Sequence, residues 1–121
     1  MESLNQETPS FNPELGQQYI YNAARAAAER GDKLWQIDDK EKVVAAASTR
    51  EVEDAVIVEN IGSLVRGKGK ELLLQIATYA ISVNKQLLVS ATFDSEGYYQ
   101  KLGFAPLHGR NGMWAIDPKL L

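Results

Sequence analysis

Between residues 64 and 74 the chain reads Leu64-Val65-Arg66-Gly67-Lys68-Gly69-Lys70-Glu71-Leu72-Leu73-Leu74. Two glycines one residue apart stand between a β-branched run, Val56-Ile57-Val58-Glu59-Asn60-Ile61, and a segment with helical apolar spacing. Glycine lacks a Cβ, so the chain can turn sharply there and a ligand can approach the backbone closely. The first N–H groups of a helix have no internal partner and lie at its positive end. A strand, a glycine turn and a helix start therefore make an anion site, most naturally for a phosphate or pyrophosphate. The same residues also serve a plain strand-to-helix turn, so the rest of the chain has to decide between the two.

Working outward on the C-terminal side, Leu72, Leu73, Ile76, Ala77, Tyr79, Ala80 and Val83 form a wide apolar face at helical spacing. That helix is predicted to end near Asn84, and Gln86–Ala91 follows as a buried strand. Strand, helix and strand in this order favour a parallel pair joined by a right-handed crossover. Asp94 or Ser95 can cap a short helix that Gly103 ends near Leu102. Phe104–Leu107 and Met113–Ile116 then read as strands joined through His108-Gly109-Arg110-Asn111-Gly112.

On the N-terminal side, Lys33–Ile37 and Lys42–Thr49 flank Asp38-Asp39-Lys40-Glu41 as a hairpin, and Ala55–Ile61 is a third strand of a meander. Asn12-Pro13-Glu14 is a helix start, with Gly31 as the closing left-handed residue. Leu15, Tyr19, Ala23, Ala26 and Ala27 are predicted to line its buried face. Residues 1–12 read as an N-terminal arm, and 13–121 as a single domain. The element order is α-β-β-β-α-β-α-β-β, an α/β (α+β) chain with a mixed sheet.

Composition sets the outer limits. With 121 residues the chain can bury a real core as one domain. There is no cysteine and one histidine, His108, which excludes disulfides, thiol nucleophiles and multi-histidine metal sites. A net charge of −3 weighs against a nucleic-acid partner, while Arg66, Lys68 and Lys70 form a local basic patch suited to a small anion. No apolar run approaches the roughly 20 residues that span a bilayer. The polar N-terminus is unlike a signal peptide, so no membrane partner and a cytoplasmic setting are the expectation.

Two segments on these elements resemble the GNAT acyltransferases. Arg66-Gly67-Lys68-Gly69 before an amphipathic helix looks like that family's acyl-CoA pyrophosphate loop, commonly Q/R-x-x-G-x-G/A. Thirty residues on, Gly97-Tyr98-Tyr99-Gln100-Lys101-Leu102-Gly103-Phe104 is similar to its aromatic-Tyr-x-x-x-Gly-Phe segment. The match spans roughly residues 33–116. Three departures stand out: Leu64 replaces the polar first position of the loop, Thr92-Phe93-Asp94 lacks a frequent asparagine, and the front of the chain is short. A short front and a sheet lacking an edge strand make a homodimer an expectation, because an uncovered edge invites pairing.

The resemblance implies roles residue by residue. The N–H groups of Gly67, Lys68, Gly69 and Lys70 would hold the pyrophosphate, with Arg66 and Lys68 adding charge. The thioester carbonyl would meet a backbone N–H near Ile61-Gly62-Ser63, with Gly62 marking a bulge. Tyr99 would be the general acid for the departing thiolate. Glu59 would be the base that takes the amine proton, or else a structural glutamate paired within the sheet. The implied activity is direct transfer of an acetyl group from acetyl-CoA to an amine, with no metal. A reduced, non-catalytic binding or structural module of the same fold is the alternative.

Overall fold

The computed structural model describes residues 13–91, 95–110 and 112–121. The predicted N-terminal arm, and Thr92-Phe93-Asp94 with them, lie outside the described residues. The elements are α1 (Pro13–Arg30), β1 (Lys33–Asp39), β2 (Lys42–Glu51), β3 (Ala55–Ser63), α2 (Lys68–Ser82), β4 (Gln86–Ser90), α3 (Glu96–Leu102), β5 (Ala105–Pro106) and β6 (Met113–Ile116). A single 3-10 turn, Pro118–Leu120, follows. This is the order expected from sequence. Gly31 and Gly103 close α1 and α3 at φ 77° and 105°, and Asn84 follows α2 at φ 58°. All three are left-handed residues that end a helix with little steric cost.

The first hairpin is tighter than the sequence suggests. Asp38 and Asp39 belong to β1, and only Lys40 and Glu41 turn, at φ 52° and 67°. Two consecutive positive φ values are what a two-residue type I′ turn demands, because its twist matches that of the flanking strands.

The strands form one six-stranded sheet in the order β1-β2-β3-β4-β6-β5. The β3–β4 pair is parallel and the others are antiparallel. Alternation along the strands divides the two faces. Ala45, Ala47, Val56, Val58, Leu87 and Val89 point to one side, where Leu72, Leu73 and Ile76 of α2 and Tyr99 of α3 complete the main core. Ala55, Ile57 and Leu88 point to the other.

Helix α1 packs on that second face, and two glycines set how closely. A Cβ on Gly16 would lie 2.0 Å from the Ser63 carbonyl oxygen, and one on Gly62 would lie 2.5 Å from the Gly16 carbonyl oxygen. Helix and strand therefore touch backbone to backbone. The buried face of α1 carries Gly16, Ala23 and Ala26, whereas Leu15, expected there, is 42% exposed. Leu15 adjoins Gly16 in the helix, and the face centred on the smallest residue gives the closest approach. The expected bulge at Gly62 is corrected as well. Ser48 faces Asn60 and Thr49 faces Val58, so the extra residue is Glu59. Gly62 is a point of helix contact instead.

Candidate active site

Strand β3 outruns its parallel neighbour. Its pairing with β4 covers Ala55↔Gln86 through Val58↔Val89 and then stops, while its pairing with β2 continues to Ala45↔Ser63. Beyond Val58, Glu59–Ser63 therefore has its β4-side edge unpaired within the described sheet. Ile61 and Gly62, the expected thioester contacts, lie in this splayed stretch.

The glycine turn sits at the head of the splay. Ser63 Oγ fastens it by accepting from Val65 N–H at 3.1 Å and donating to the Val65 carbonyl. Leu64 N–H donates to the Val44 carbonyl at 2.8 Å, tying the turn to β2. Gly67 precedes α2 at φ 90°, with open space where a Cβ would stand. No side chain caps α2. Lys68 N–H bonds the Val65 carbonyl and Glu71 N–H the Gly67 carbonyl, with the amides of Gly69 and Lys70 between them. First-turn amides of this kind have no intrahelical acceptor and favour an anion. Arg66 and Lys70 are exposed, and Lys68 pairs with Glu71 at 3.1 Å. The turn fits the pyrophosphate of a coenzyme A: uncapped amides, an unobstructed glycine and cations. Leu64 adds no polar group.

Tyr99 is buried in the main core, edge-on to Phe104 and Tyr98 with ring centroids 5.4 Å away in each case. Burial raises its pKa well above the usual phenol value, and the nearby Tyr98 and Tyr19 hydroxyls add to the shift. Tyr99 therefore keeps its proton. Its proximity to Tyr19 is informative because α1 and α3 lie on opposite faces of the sheet. Tyr19 Cβ is the atom that a Cβ on Gly62 would meet at 2.6 Å, which places Tyr19 beside the splay. The spacing of apolar residues in α1 gives Tyr19 only a packing role; its position beside the splay depends on the Gly16–Gly62 contact.

Glu59 is held from two sides. Arg30 Nη2 donates to one carboxylate oxygen and Arg50 Nε to the other, each at 2.9 Å. Beside it Asp32 has a side chain only 3% exposed, with Arg30 Nη2 at 3.7 Å. Among the described residues Asp32 Oδ2 is the buried side-chain oxygen that no donor satisfies. Burial, then the neighbouring Glu59, raise the Asp32 pKa above its ordinary value. Burial acts the same way on Glu59, but hydrogen bonds to Asp32 and Arg50 and the charges of Arg30 and Arg50 outweigh it and hold the pKa low. The two shifts run in opposite directions, so Asp32 is the harder of the pair to ionise and Glu59 the easier. Sequence reading singled out Glu59 and missed Asp32, which has no motif around it.

On the α1 side of the sheet a cavity of about 620 Å³ lies against Ala55, Ile57 and Leu88, walled by Leu107, His108 and Arg110. Ile57 and Leu88 stand just before Val58 and Val89, the last pair ahead of the splay. Glu53 and Asp54 line the cavity at its far end. Among the described residues no group of three metal-ligating side chains comes together, and no helix is long and apolar enough to cross a membrane.

No family model matches this sequence. No curated protein matches it either. Solved structures do. The PaiA N-acetyltransferase of Thermoplasma acidophilum, in complex with coenzyme A, superposes with a TM-score of 0.59 at 12% identity, covering 78% of this chain and 65% of that one. Tetrahymena GCN5 gives 0.61 at 17% identity, over 92% and 79%. An AtaT–AtaR complex bound to DNA gives 0.62 at 17%, over 78% and 73%. That last likeness corrects the expectation drawn from net charge. A chain of this fold occurs in a DNA-bound assembly, so an acidic balance does not exclude nucleic acid as a partner. The order of elements, the mixed sheet and these superpositions agree: the chain has a GNAT-like fold.

Proposed function

We propose that this protein binds acetyl-CoA at the glycine turn and transfers the acetyl group directly to an amine. The observation that carries the reading is the splay of β3 from β4 directly below an uncapped, glycine-led helix start. In this reading acetyl-CoA supplies an activated thioester. The amides of Gly67, Gly69 and Lys70, with the side chains of Arg66 and Lys68, hold its pyrophosphate. A backbone N–H near Ile61 or Gly62 polarises the thioester carbonyl. The cavity over Ile57 and Leu88 admits the acceptor from the α1 side. The amine nitrogen forms the new C–N bond as the C–S bond breaks; Tyr99 gives its proton to the leaving sulfur, and Glu59, directly or through water, takes the proton shed by nitrogen.

The clamp on Glu59 favours a second reading, a module that binds coenzyme A without turnover. Both oxygens are engaged by guanidinium groups and the pKa is lowered, which weakens the residue as a base. Calorimetry with acetyl-CoA, followed by a thiol-release assay over a panel of amines, separates the readings. Binding with turnover supports transfer, binding without turnover supports the second reading, and no binding at millimolar ligand refutes both. Given turnover, Tyr99→Phe should lower kcat by about a hundredfold with little change in affinity for acetyl-CoA. An unchanged kcat would remove Tyr99 from the acid role.

A further inference from the structure

Strand β1 is the outermost strand of the described sheet. It runs seven residues, Lys33-Leu34-Trp35-Gln36-Ile37-Asp38-Asp39, without a proline. The irregularity in its pairing with β2 lies between Ile37↔Ala45 and Asp38↔Val43, so the extra residue is Val44 of β2 and β1 itself is unbroken. Leu34, Trp35, Gln36 and Ile37 carry no charge, and Leu34 is 39% exposed. Edges that must stay single are usually blunted by prolines, bulges or central charges. This one has no proline and no extra residue of its own, and its charges, Lys33, Asp38 and Asp39, stand towards its ends.

We propose that β1 pairs antiparallel with β1 of a second copy, about a two-fold axis through Gln36, joining two sheets into one. Symmetry limits the register. A two-fold that relates antiparallel strands stands perpendicular to the sheet and keeps each face on its own side. Residues opposite one another must then share a face, so the axis has to pass through a residue position. Centring on Gln36 is the choice that pairs all seven residues. It sets Lys33 against the partner's Asp39, and by symmetry Asp39 against the partner's Lys33. Opposite charges thus meet at both ends and Trp35 meets the partner's Ile37 in between, while on the other face Leu34 lies opposite the partner's Asp38. Centring on Trp35 would put Lys33 opposite an isoleucine, and centring on Ile37 would put Trp35 opposite an aspartate.

The side chains are already arranged for this pairing. Trp35 and Ile37 pack half-buried against the main core, so their counterparts would extend that core across the axis. Lys33 Nζ lies 4.4 Å from the Trp35 and the Tyr79 ring centroids, which holds the ammonium on the face where the partner's Asp39 would arrive. Cross-strand pairs of opposite charge and of aromatic with β-branched residues are the units that stabilise antiparallel strands. The proposal rests on the sheet edge alone and is independent of acyl transfer.

The test is sedimentation velocity on the full chain over a dilution series. Wild type should be a dimer that dissociates on dilution. Lys33→Asp and Asp39→Lys each place like charges at both ends of the pairing. Each should raise the dimer Kd by about tenfold or more. The double variant, Lys33→Asp with Asp39→Lys, restores opposite charges and should return Kd to within a few-fold of wild type. Far-UV circular dichroism checks that every variant is folded. A wild type that is monomeric at every concentration would overturn the proposal. So would a dimer indifferent to both single reversals, or folded variants in which the double swap restores nothing.

Discussion

Gly16→Ala should destabilise this protein, although the same change in most helix interiors does the opposite. Replacing a helical glycine by alanine ordinarily gains about 1 kcal/mol from reduced backbone entropy. Here the new Cβ would lie 2.0 Å from the Ser63 carbonyl oxygen, where ordinary contact starts at 3.4 Å. The obstacle is β3 backbone, which cannot rotate away, so the N-terminal turns of α1 have to lift by more than an ångström. A gap of that size forfeits a large share of the dispersion contacts along the interface. Ala23 and Ala26, at 0% and 6% exposure, lie on the same face and lose packing with it. Overpacking against a rigid neighbour typically costs 1–3 kcal/mol. With the backbone displaced we expect a net loss of about 3 kcal/mol, or roughly 12 °C in Tm for a domain of this size. Urea unfolding followed by far-UV circular dichroism measures it. Gly97→Ala is the internal control, because Gly97 lies within α3 and its Cβ would meet nothing within 4 Å. That variant should gain about 0.5–1 kcal/mol. If Gly16→Ala proved as stable as wild type, the backbone-to-backbone contact of α1 and β3 would be wrong.

Other outcomes follow from the same geometry. Gly16→Ala and Gly62→Ala break one shared contact, so the double variant should cost clearly less than the two single losses together. Gly67→Ala forces a side chain to φ 90° in otherwise open space, so it should cost about 1–2 kcal/mol of stability, measurable by the same unfolding assay. The carboxyl pair predicts a pH dependence of two signs. Glu59 has a lowered pKa in the fold, so its contribution is complete above its ordinary value of 4.5 and is lost as pH falls below it. Glu59→Gln should therefore cost about 1 kcal/mol at neutral pH, modest because both arginines are largely exposed, and little in acid. Asp32 has a raised pKa, so its relative stability is complete below 3.8 and is lost as pH rises through the folded value. Asp32→Asn removes the cost of ionising a buried carboxyl and should equal or exceed wild-type stability at pH 7, as unfolding across pH would show. Finally, Lys68→Ala and Arg66→Ala should each weaken acetyl-CoA binding several-fold, with a shallower dependence on salt. Unchanged affinities would place the phosphates elsewhere.

Helix and strand identities follow from local patterns that tertiary packing does not override. The apolar face of α2, the αL residues Gly31, Asn84 and Gly103, and the β-branched run of β3 are each readable within one turn or one strand. The glycine turn is local too, since positive φ and an uncapped helix start depend on a handful of consecutive residues. What depends on distant residues meeting was not legible. No spacing in the chain announces that Gly16 and Gly62 touch, because each is an ordinary glycine until α1 lies across β3. The bulge at Glu59 arises from the register between β2 and β3, a property of the pair and not of either strand. Sequence placed Glu59 in an apolar strand and left its role open between a base and a structural partner. The fold supplied Arg30 and Arg50 from 29 and 9 residues away, and a buried Asp32 beside them. Local sequence thus determined the uncapped, glycine-led start of α2. Tertiary structure alone decided which charges are neutralised around the splay, because electrostatic partners are set by distance through space, and distance along the chain does not encode it.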